Sequence, residues 1–375
     1  MIVIKIGIVL LNILYCFFKL CPQQKKVSMI SRQGNLPSVE FQMIEKKIKE
    51  QNSDISVVLL CKTLDGGVNS AIKGKVSYAL HMITQMYHLA TSKVVILDSY
   101  CILASVLKHK KSLCIIQMWH SMGTMKKFGY TALDTMEGTS SRLAHTMKMH
   151  QNYDYVFASA DAYKDHLAKG FNCDIEKIIT MPLPRLDLLK DEAYAEEIKQ
   201  KIYKKYPMLR EKKTIVYCPT FRKEEENFSR AVYELVKLVD KEKYNIVVKL
   251  HPLSKIVLDE FVISADEFSS FDMIFVADYF ISDYSCIVYE AAVRDVPLYF
   301  YNFDMDLYAE DRGLAIDYEK ELPGVISKNA REIIEAISEE EYDMEELRRF
   351  THKYVEPTEH ATEDIVKFVL KFTGR

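Results

Sequence analysis

The stretch 78-YALHMITQMYHLATSKVVILD-98 decides the fold class. Its first part carries apolar side chains at three- and four-residue spacing, which predicts a helix over 78–90. The run 93-KVVILD-98 that follows is short, apolar and β-branched, which predicts a buried strand. The same alternation extends outward in both directions. Strand-like runs lie at 27-VSMIS-31, 55-ISVVLL-60, 113-LCIIQM-118, 154-DYVFAS-159 and 177-KIITM-181, and 39-VEFQMIEKKIKE-50 is a further helix. Strands alternating with helices predict an α/β fold whose parallel sheet is covered on both faces.

A densely charged helical stretch over 190–211 interrupts the series, with a loop at 207-PMLREKK-213. A second series then begins: 214-TIVYCPT-220, 244-YNIVVKLHP-252, 272-DMIFVADYFISD-283 and 296-VPLYFYN-302. A chain of 375 residues suits two domains better than one core. The expected division is 25–189 and 190–357, each a doubly wound Rossmann-like sheet, the two facing a cleft. Residues 358–375 form a last helix packing back on the first domain. Ligands of such sheets lie at the strands' carboxyl ends.

Fifty basic residues against 53 acidic ones leave a net charge of -3, which removes the field of a nucleic-acid binder. The eight cysteines form no CxxC pair and read as small buried hydrophobes in a reducing, cytoplasmic setting. Residues 2–18, IVIKIGIVLLNILYCFF, are apolar apart from Lys5, Gly7 and Asn12. The run is short for a span and lacks a small-residue cleavage site. Followed by Lys19, Lys25, Lys26 and Arg32, it reads as an interfacial anchor over 1–24, meeting an anionic membrane surface. A buried first element of the core and a single span are the alternatives.

Four clusters at predicted strand ends carry chemistry. In 117-QMWHSMGTMKKFGY-130, His120 suits a general base, because its pKa lies near working pH. Lys126 and Lys127 follow it. In 216-VYCPTFR-222, the planar donors of Arg222 suit phosphate. In 247-VVKLHP-252, Lys249 and His251 fall on one face of a strand that Pro252 stops. In 281-ISDYSCIVYEAAVRDVP-297, a helix is expected from Tyr284-Ser285 with Ser282 or Asp283 as N-cap. Its first amides would form a phosphate site, with Glu290 in reach of a ribose hydroxyl. A structural histidine, a solvated arginine and ordinary capping are the plain readings of the same residues. Neither GxGxxG nor GxxxxGK[ST] is present, and Asp304-Met305-Asp306 is assigned no metal. No organic cofactor is indicated, and dependence on a divalent metal is left open.

Taken in order, 119-WHSMGTMKK-127, 184-PRLD-187, 219-PTFR-222, 249-KLHP-252, 282-SDYSCIVYE-290, 300-FYNFD-304 and 312-RG-313 make up a larger pattern. Over about residues 25–340 the chain resembles the CDP-glycerol glycerophosphotransferase family, the teichoic-acid primases and polymerases of Gram-positive bacteria. It departs from the family pattern at Ser121, where glycine is usual, at Lys249 for arginine, at Cys286 for serine and at Val296 for arginine. Met122-Gly123 also lengthens the loop after the histidine.

The resemblance implies a GT-B-type fold and transfer of glycerol phosphate from CDP-glycerol to a lipid-linked polymer, releasing CMP. The work would be done at the cytoplasmic face of the membrane, as a peripheral protein compatible with a homo-oligomer. It implies His120 as base and His251 as the group serving the leaving phosphate. Ser282, Asp283, Tyr284, Ser285, Glu290 and Arg222 fall to the donor, and Lys126 and Lys127 to steering the acceptor or its phosphate. A CDP-ribitol transferase, a nucleotide-sugar glycosyltransferase and a silent membrane-bound nucleotide binder are the competing readings.

Overall fold

A computed structural model of the chain describes residues 1–63, 72–136 and 138–374. The chain divides into two compact units. Met1–His120, Phe128–Asp187 and Thr358–Arg375 form the first, and Ser121–Lys127 with Leu188–Pro357 form the second.

The first unit is built on six parallel strands: β1 (Lys26–Ser31), β2 (Ser56–Cys61), β3 (Val94–Leu97), β4 (Cys114–Gln117), β5 (Tyr155–Ala158) and β6 (Ile178–Thr180). Their order is β2-β1-β3-β4-β5-β6. Val27 lies opposite both Val57 and Val94, so the register brings the apolar runs side by side. Every residue of β3 and β4 is buried, which is why these strands read as continuous runs and not as alternations. After β2 the chain returns to the far side of β1, which puts the topological switch between the ends of β1 and β3.

Helices cover this sheet for sequence reasons. Helix α2 (Val39–Gln51) starts where the Ser38 hydroxyl accepts from the Phe41 amide, and it buries Phe41, Ile44 and Ile48. The helix Ala361–Thr373 packs against α2, its first amides donating to Asp187 at 2.7 and 2.9 Å. Arg185, two residues earlier, pairs with Glu40 on α2. The 184-PRLD-187 segment is thus a joint that ties the end of the chain to the first sheet.

The N-terminal run forms one helix, α1 (Ile2–Phe18), and it is part of the first unit. Asn12 donates to the Val106 carbonyl at 3.0 Å and accepts from the Lys108 amide at 2.9 Å. Tyr15 is fully buried against His109. The other side exposes Ile6, Leu10, Ile13 and Phe17. Beside it packs α3 (Ile72–Thr91), exposing Val76, Leu80 and Ile83. Among the described residues no helix is long and apolar enough to cross a membrane. The run read as an interfacial anchor over 1–24 is a helix half-packed on the first unit. Lys26 is corrected: it is buried on β1, and its Nζ donates to Thr91 Oγ1 at 2.6 Å.

The second unit carries five parallel strands: β7 (Lys213–Cys218), β8 (Tyr244–Val248), β9 (Tyr279–Ser282), β10 (Leu298–Tyr301) and β11 (Ile326–Ser327). Their order is β11-β10-β9-β7-β8, with the switch between β7 and β9. Ile215, Tyr217, Ile246 and Ile281 form one core with Phe228, Val232, Leu235 and Ile333 from two helices. The strand expected over 272–283 is corrected. Residues Ser270–Ile274 are a helical turn held by a capping box between Ser269 and Asp272, and only Tyr279–Ser282 is strand. The apolar run continues through both, so periodicity could not part them. The cysteines also differ from expectation: Cys101, Cys114 and Cys218 are buried, Cys16 is exposed, and the others lie between.

Candidate active site

At the end of β4 the first unit bends sharply. Trp119 takes a left-handed φ of 67°, a conformation that costs a bulky residue about 1–3 kcal/mol. Its amide donates to Gln117 Oε1 at 3.0 Å, and its ring packs on Phe128 and Phe171. This turn delivers His120 to the carboxyl edge of the sheet, beside Asp98 at the end of β3. His120 Nδ1 lies 2.9 Å from the Asp98 carbonyl oxygen. A carbonyl can only accept, so Nδ1 bears the hydrogen and Nε2 of the neutral ring keeps its lone pair.

His120 keeps solvent access but is ringed by protein. Loss of water lowers its pKa, and Arg185 adds to that, while the Asp98 carbonyl and Glu40 oppose it. The Asp98 carboxyl is itself buried, and this pushes its pKa up to about 6 despite Ser31 and Ser99. A neutral histidine with a bare Nε2, held by a backbone oxygen, is built to accept a proton.

In the second unit the switch point is filled by an ion cluster. Asp283 is fully buried and accepts from the Thr220 amide at 2.9 Å and from the Tyr284 amide at 2.5 Å. Arg222 bonds Asp283 at 2.9 Å and grips Asp304 at 2.6 and 3.1 Å. Tyr284 stacks on Tyr308 at 3.7 Å between centroids, and its hydroxyl donates to Asp304 at 3.2 Å. Burial works against the Arg222 charge, but Asp283 and Asp304 more than restore it, so its pKa is raised.

This arrangement corrects the expected helix start. The helix begins at Ile287 with Cys286 as N-cap, so neither Ser282 nor Asp283 caps it. Ser282 is buried, with its hydroxyl donating to the Cys218 carbonyl at 2.8 Å. Arg222 and Asp283 are bonded to each other, and Asp283 also to the Thr220 and Tyr284 amides, which ties the ends of β7 and β9 together. Ser285 stays half-buried at the rim, and Glu290 is buried on the helix Ile287–Val293. The Asp-x-Asp pair is also divided, since Asp304 holds Arg222 and Asp306 pairs with Lys328.

His251 stands past the end of β8, exposed, with its ring against Phe221. It borders a cavity of about 800 Å³ that Lys249, Ser264, Asp266 and Phe268 also line. Its Nδ1 accepts from the Leu253 amide at 3.2 Å. The neutral ring therefore carries its hydrogen on Nε2, the opposite tautomer to His120. Lys126 and Lys127 belong to the second unit, where the Lys127 amide donates to Gly313 and the Ala315 amide to Met125. Gly313 has φ 76°, and a Cβ there would meet the Lys127 side chain at 2.7 Å.

Sequence reasoning passed over Asp98, Glu40, Tyr308 and the role of Asp304. Asp98 was within reach, because it ends 93-KVVILD-98 at the sheet edge where His120 ends the next strand. No local signal marked Tyr308 or the pairing of Arg222 with Asp304, which joins residues far apart in the chain.

The chain matches proteins of known family along most of its length. The description CDP-Glycerol:Poly(glycerophosphate) glycerophosphotransferase fits residues 13–371. A teichoic acid ribitol-phosphate primase of Bacillus spizizenii is 29% identical, over 93% of this chain and 92% of its own length. A teichoic acid glycerol-phosphate primase of Bacillus subtilis is 28% identical, over 77% of this chain and 76% of its own. Among solved structures, the wall teichoic acid polymerase TagF superposes with a TM-score of 0.75 at 18% identity, covering 99% of this chain and 95% of the other. A UDP-GlcNAc 2-epimerase from Neisseria meningitidis follows the same fold at a TM-score of 0.58 and 14% identity, covering 92% of this chain and 100% of the other. The chain belongs to the CDP-glycerol:poly(glycerophosphate) glycerophosphotransferase family of teichoic acid primases and polymerases.

Proposed function

We propose that the protein transfers glycerol phosphate from CDP-glycerol to a hydroxyl of a lipid-linked teichoic-acid-type acceptor, releasing CMP. The family match across residues 13–371 carries this reading. A variant of TagF has been solved after a soak with CDPG, which supports a CDP-glycerol donor. Transfer of ribitol phosphate from CDP-ribitol is the second reading. It is favoured by one observation: the ribitol-phosphate primase aligns over more of both chains than the glycerol-phosphate primase does.

The tautomer of each histidine supports a division of roles. The acceptor oxygen attacks the phosphorus that bears the polyol, and its proton passes to Nε2 of His120. The new O–P bond forms as the bond from that phosphorus to the CMP oxygen breaks. Nε2–H of His251 donates a hydrogen bond to the departing phosphate oxygen, and CMP leaves as the anion. Positioning and charge stabilisation carry most of the rate in such transfers. Ser285 serves as a donor contact at the rim. Glu290 is the ribose contact, a role that requires the donor to reach the helix's buried side. The ion cluster of Arg222, Asp283 and Asp304 holds Tyr284 and the strand ends beneath it, and Lys127 serves acceptor steering.

Products separate the two donors. The protein is incubated with each donor and a glycerol-phosphate-primed lipid acceptor, and the new phosphodiester is followed by ³¹P NMR. A phosphodiester from CDP-glycerol but not from CDP-ribitol is the expected result. The reverse pattern assigns ribitol, and a glycosidic product from a nucleotide sugar defeats the proposal.

We also place the protein at an anionic membrane surface. Ile6, Leu10 and Ile13 on α1 and Leu80 and Ile83 on α3 are exposed on two helices that pack together, and Lys5 and Lys25 are exposed as well. Each such side chain is worth up to about 1.5–3 kcal/mol on burial. Leu10→Glu/Ile13→Glu should therefore lose flotation with phosphatidylglycerol vesicles by more than about tenfold while Tm stays unchanged. Equal flotation of the variant would refute this placement.

A further inference from the structure

We propose that Lys126 is the cation that receives the diphosphate of the cytidine-diphosphate donor, in the second unit. The inference rests on the transferase reading above and reassigns this lysine from the acceptor to the donor.

Four observations carry it. Lys126 follows His120 closely in sequence, yet its segment Ser121–Lys127 belongs to the second unit. There it is fixed by an antiparallel bridge from Lys126 to Leu314, flanked by the Lys127–Gly313 and Met125–Ala315 hydrogen bonds at 3.0 and 3.1 Å. The Thr124 carbonyl accepts from the Tyr289 hydroxyl of the helix Ile287–Val293 at 3.3 Å, which ties the same segment to the donor side.

The side chain is half-buried, and its Nζ donates to the Tyr308 hydroxyl at 3.2 Å. No carboxylate among the described residues lies within ion-pair distance of it. The nearby carboxylates are already engaged, since Asp283 and Asp304 are both bonded to Arg222. Arg222, the cation that sequence alone points to for phosphate, is therefore neutralised in place.

Lys126 is the opposite case: a partly desolvated ammonium whose hydrogen-bond partner among the described residues is neutral. Loss of water lowers its pKa, and Arg312 and Arg222 push the same way against Cys286 and Asp283. Such a site is unfavourable when empty and is relieved by an anion that brings two or more charges. Cys286 lies close enough to act on it electrostatically, and Cys286 follows Ser285 just past the carboxyl end of β9, where ligands of such sheets bind. A diphosphate supplies the charge that this site lacks, and a neutral polyol hydroxyl does not.

The test is titration calorimetry of the full chain with CDP-glycerol and CDP-ribitol, for wild type, Lys126→Met and Lys126→Arg, together with the acceptor KM. A charge-assisted contact of this kind predicts a loss of donor affinity of about tenfold or more in Lys126→Met. Lys126→Arg should keep affinity within a few-fold, and the acceptor KM should hold. If Lys126→Met melts early, Lys126→Gln must show the same donor loss. Donor affinity equal to wild type with a raised acceptor KM overturns the inference and returns Lys126 to the acceptor. A folded wild type that binds neither donor overturns the transferase reading itself, which is a distinguishable result.

Discussion

His120→Ala is expected to lower kcat by about 10²–10⁴, the usual worth of one positioned base, while leaving donor affinity within a few-fold. The expectation follows from the bare Nε2 that the Asp98 carbonyl fixes at 2.9 Å from Nδ1. It is a statement about the transition state: the proton moves only as the acceptor oxygen attacks, so binding of the donor does not depend on it. Partial loss of water from the protein packed around the ring, with Arg185, holds the His120 pKa below its ordinary 6.5. A lowered pKa means that the neutral form persists as pH falls through 6.5. The acid limb of kcat/KM should therefore lie below 6.5, activity being lost only as the ring protonates. A steady-state pH profile of wild type checks the limb, and single-turnover CMP release checks the variant. A rate within a few-fold of wild type, in a folded His120→Ala, would remove this residue from the chemistry.

The second large effect is on stability. Asp283→Ala removes the acceptor of the Thr220 and Tyr284 amides and one of two carboxylates holding Arg222. The Arg222 and Asp283 side chains are 10% and 0% exposed, so solvent does little to screen the loss. Breaking a buried pair from one side costs about 3–5 kcal/mol. For a unit of this size that corresponds to a fall in melting midpoint of about 6–20 °C. Differential scanning calorimetry of the two variants Asp283→Ala and Asp306→Ala makes the comparison. Among the described residues Asp306 pairs only with Lys328 at the surface, where an exposed ion pair is worth at most about 1 kcal/mol. Equal midpoints for Asp283→Ala and wild type would show that the cluster is not the scaffold described here.

Much of the fold was legible because buried parallel strands leave a plain signature. The runs 93-KVVILD-98 and 113-LCIIQM-118 became β3 and β4, whose residues are all buried. The signature failed where two elements share one apolar run, as at 272–283, and where a strand is as short as β11. The site was legible as a set of strand ends, because parallel sheets gather ligands there whatever the sequence between. What each residue does at its strand end was not legible. Arg222 and Asp304 are far apart in the chain and meet only when β7 and β10 take their places beside β9. The exposed α1 face shows the same division. Its hydrophobicity was readable, but that one side of it packs through Asn12 and Tyr15 depends on partners at Val106 and His109.

The decisive measurement is acceptor-dependent release of CMP from CDP-glycerol by the wild-type chain. CDP-ribitol is run in parallel, and a glycerol-phosphate-primed lipid serves as acceptor. The account predicts CMP from CDP-glycerol only when the acceptor is present, with His120→Ala reduced by two to four orders of magnitude. No CMP from either donor, by a folded protein that has its acceptor, would contradict it.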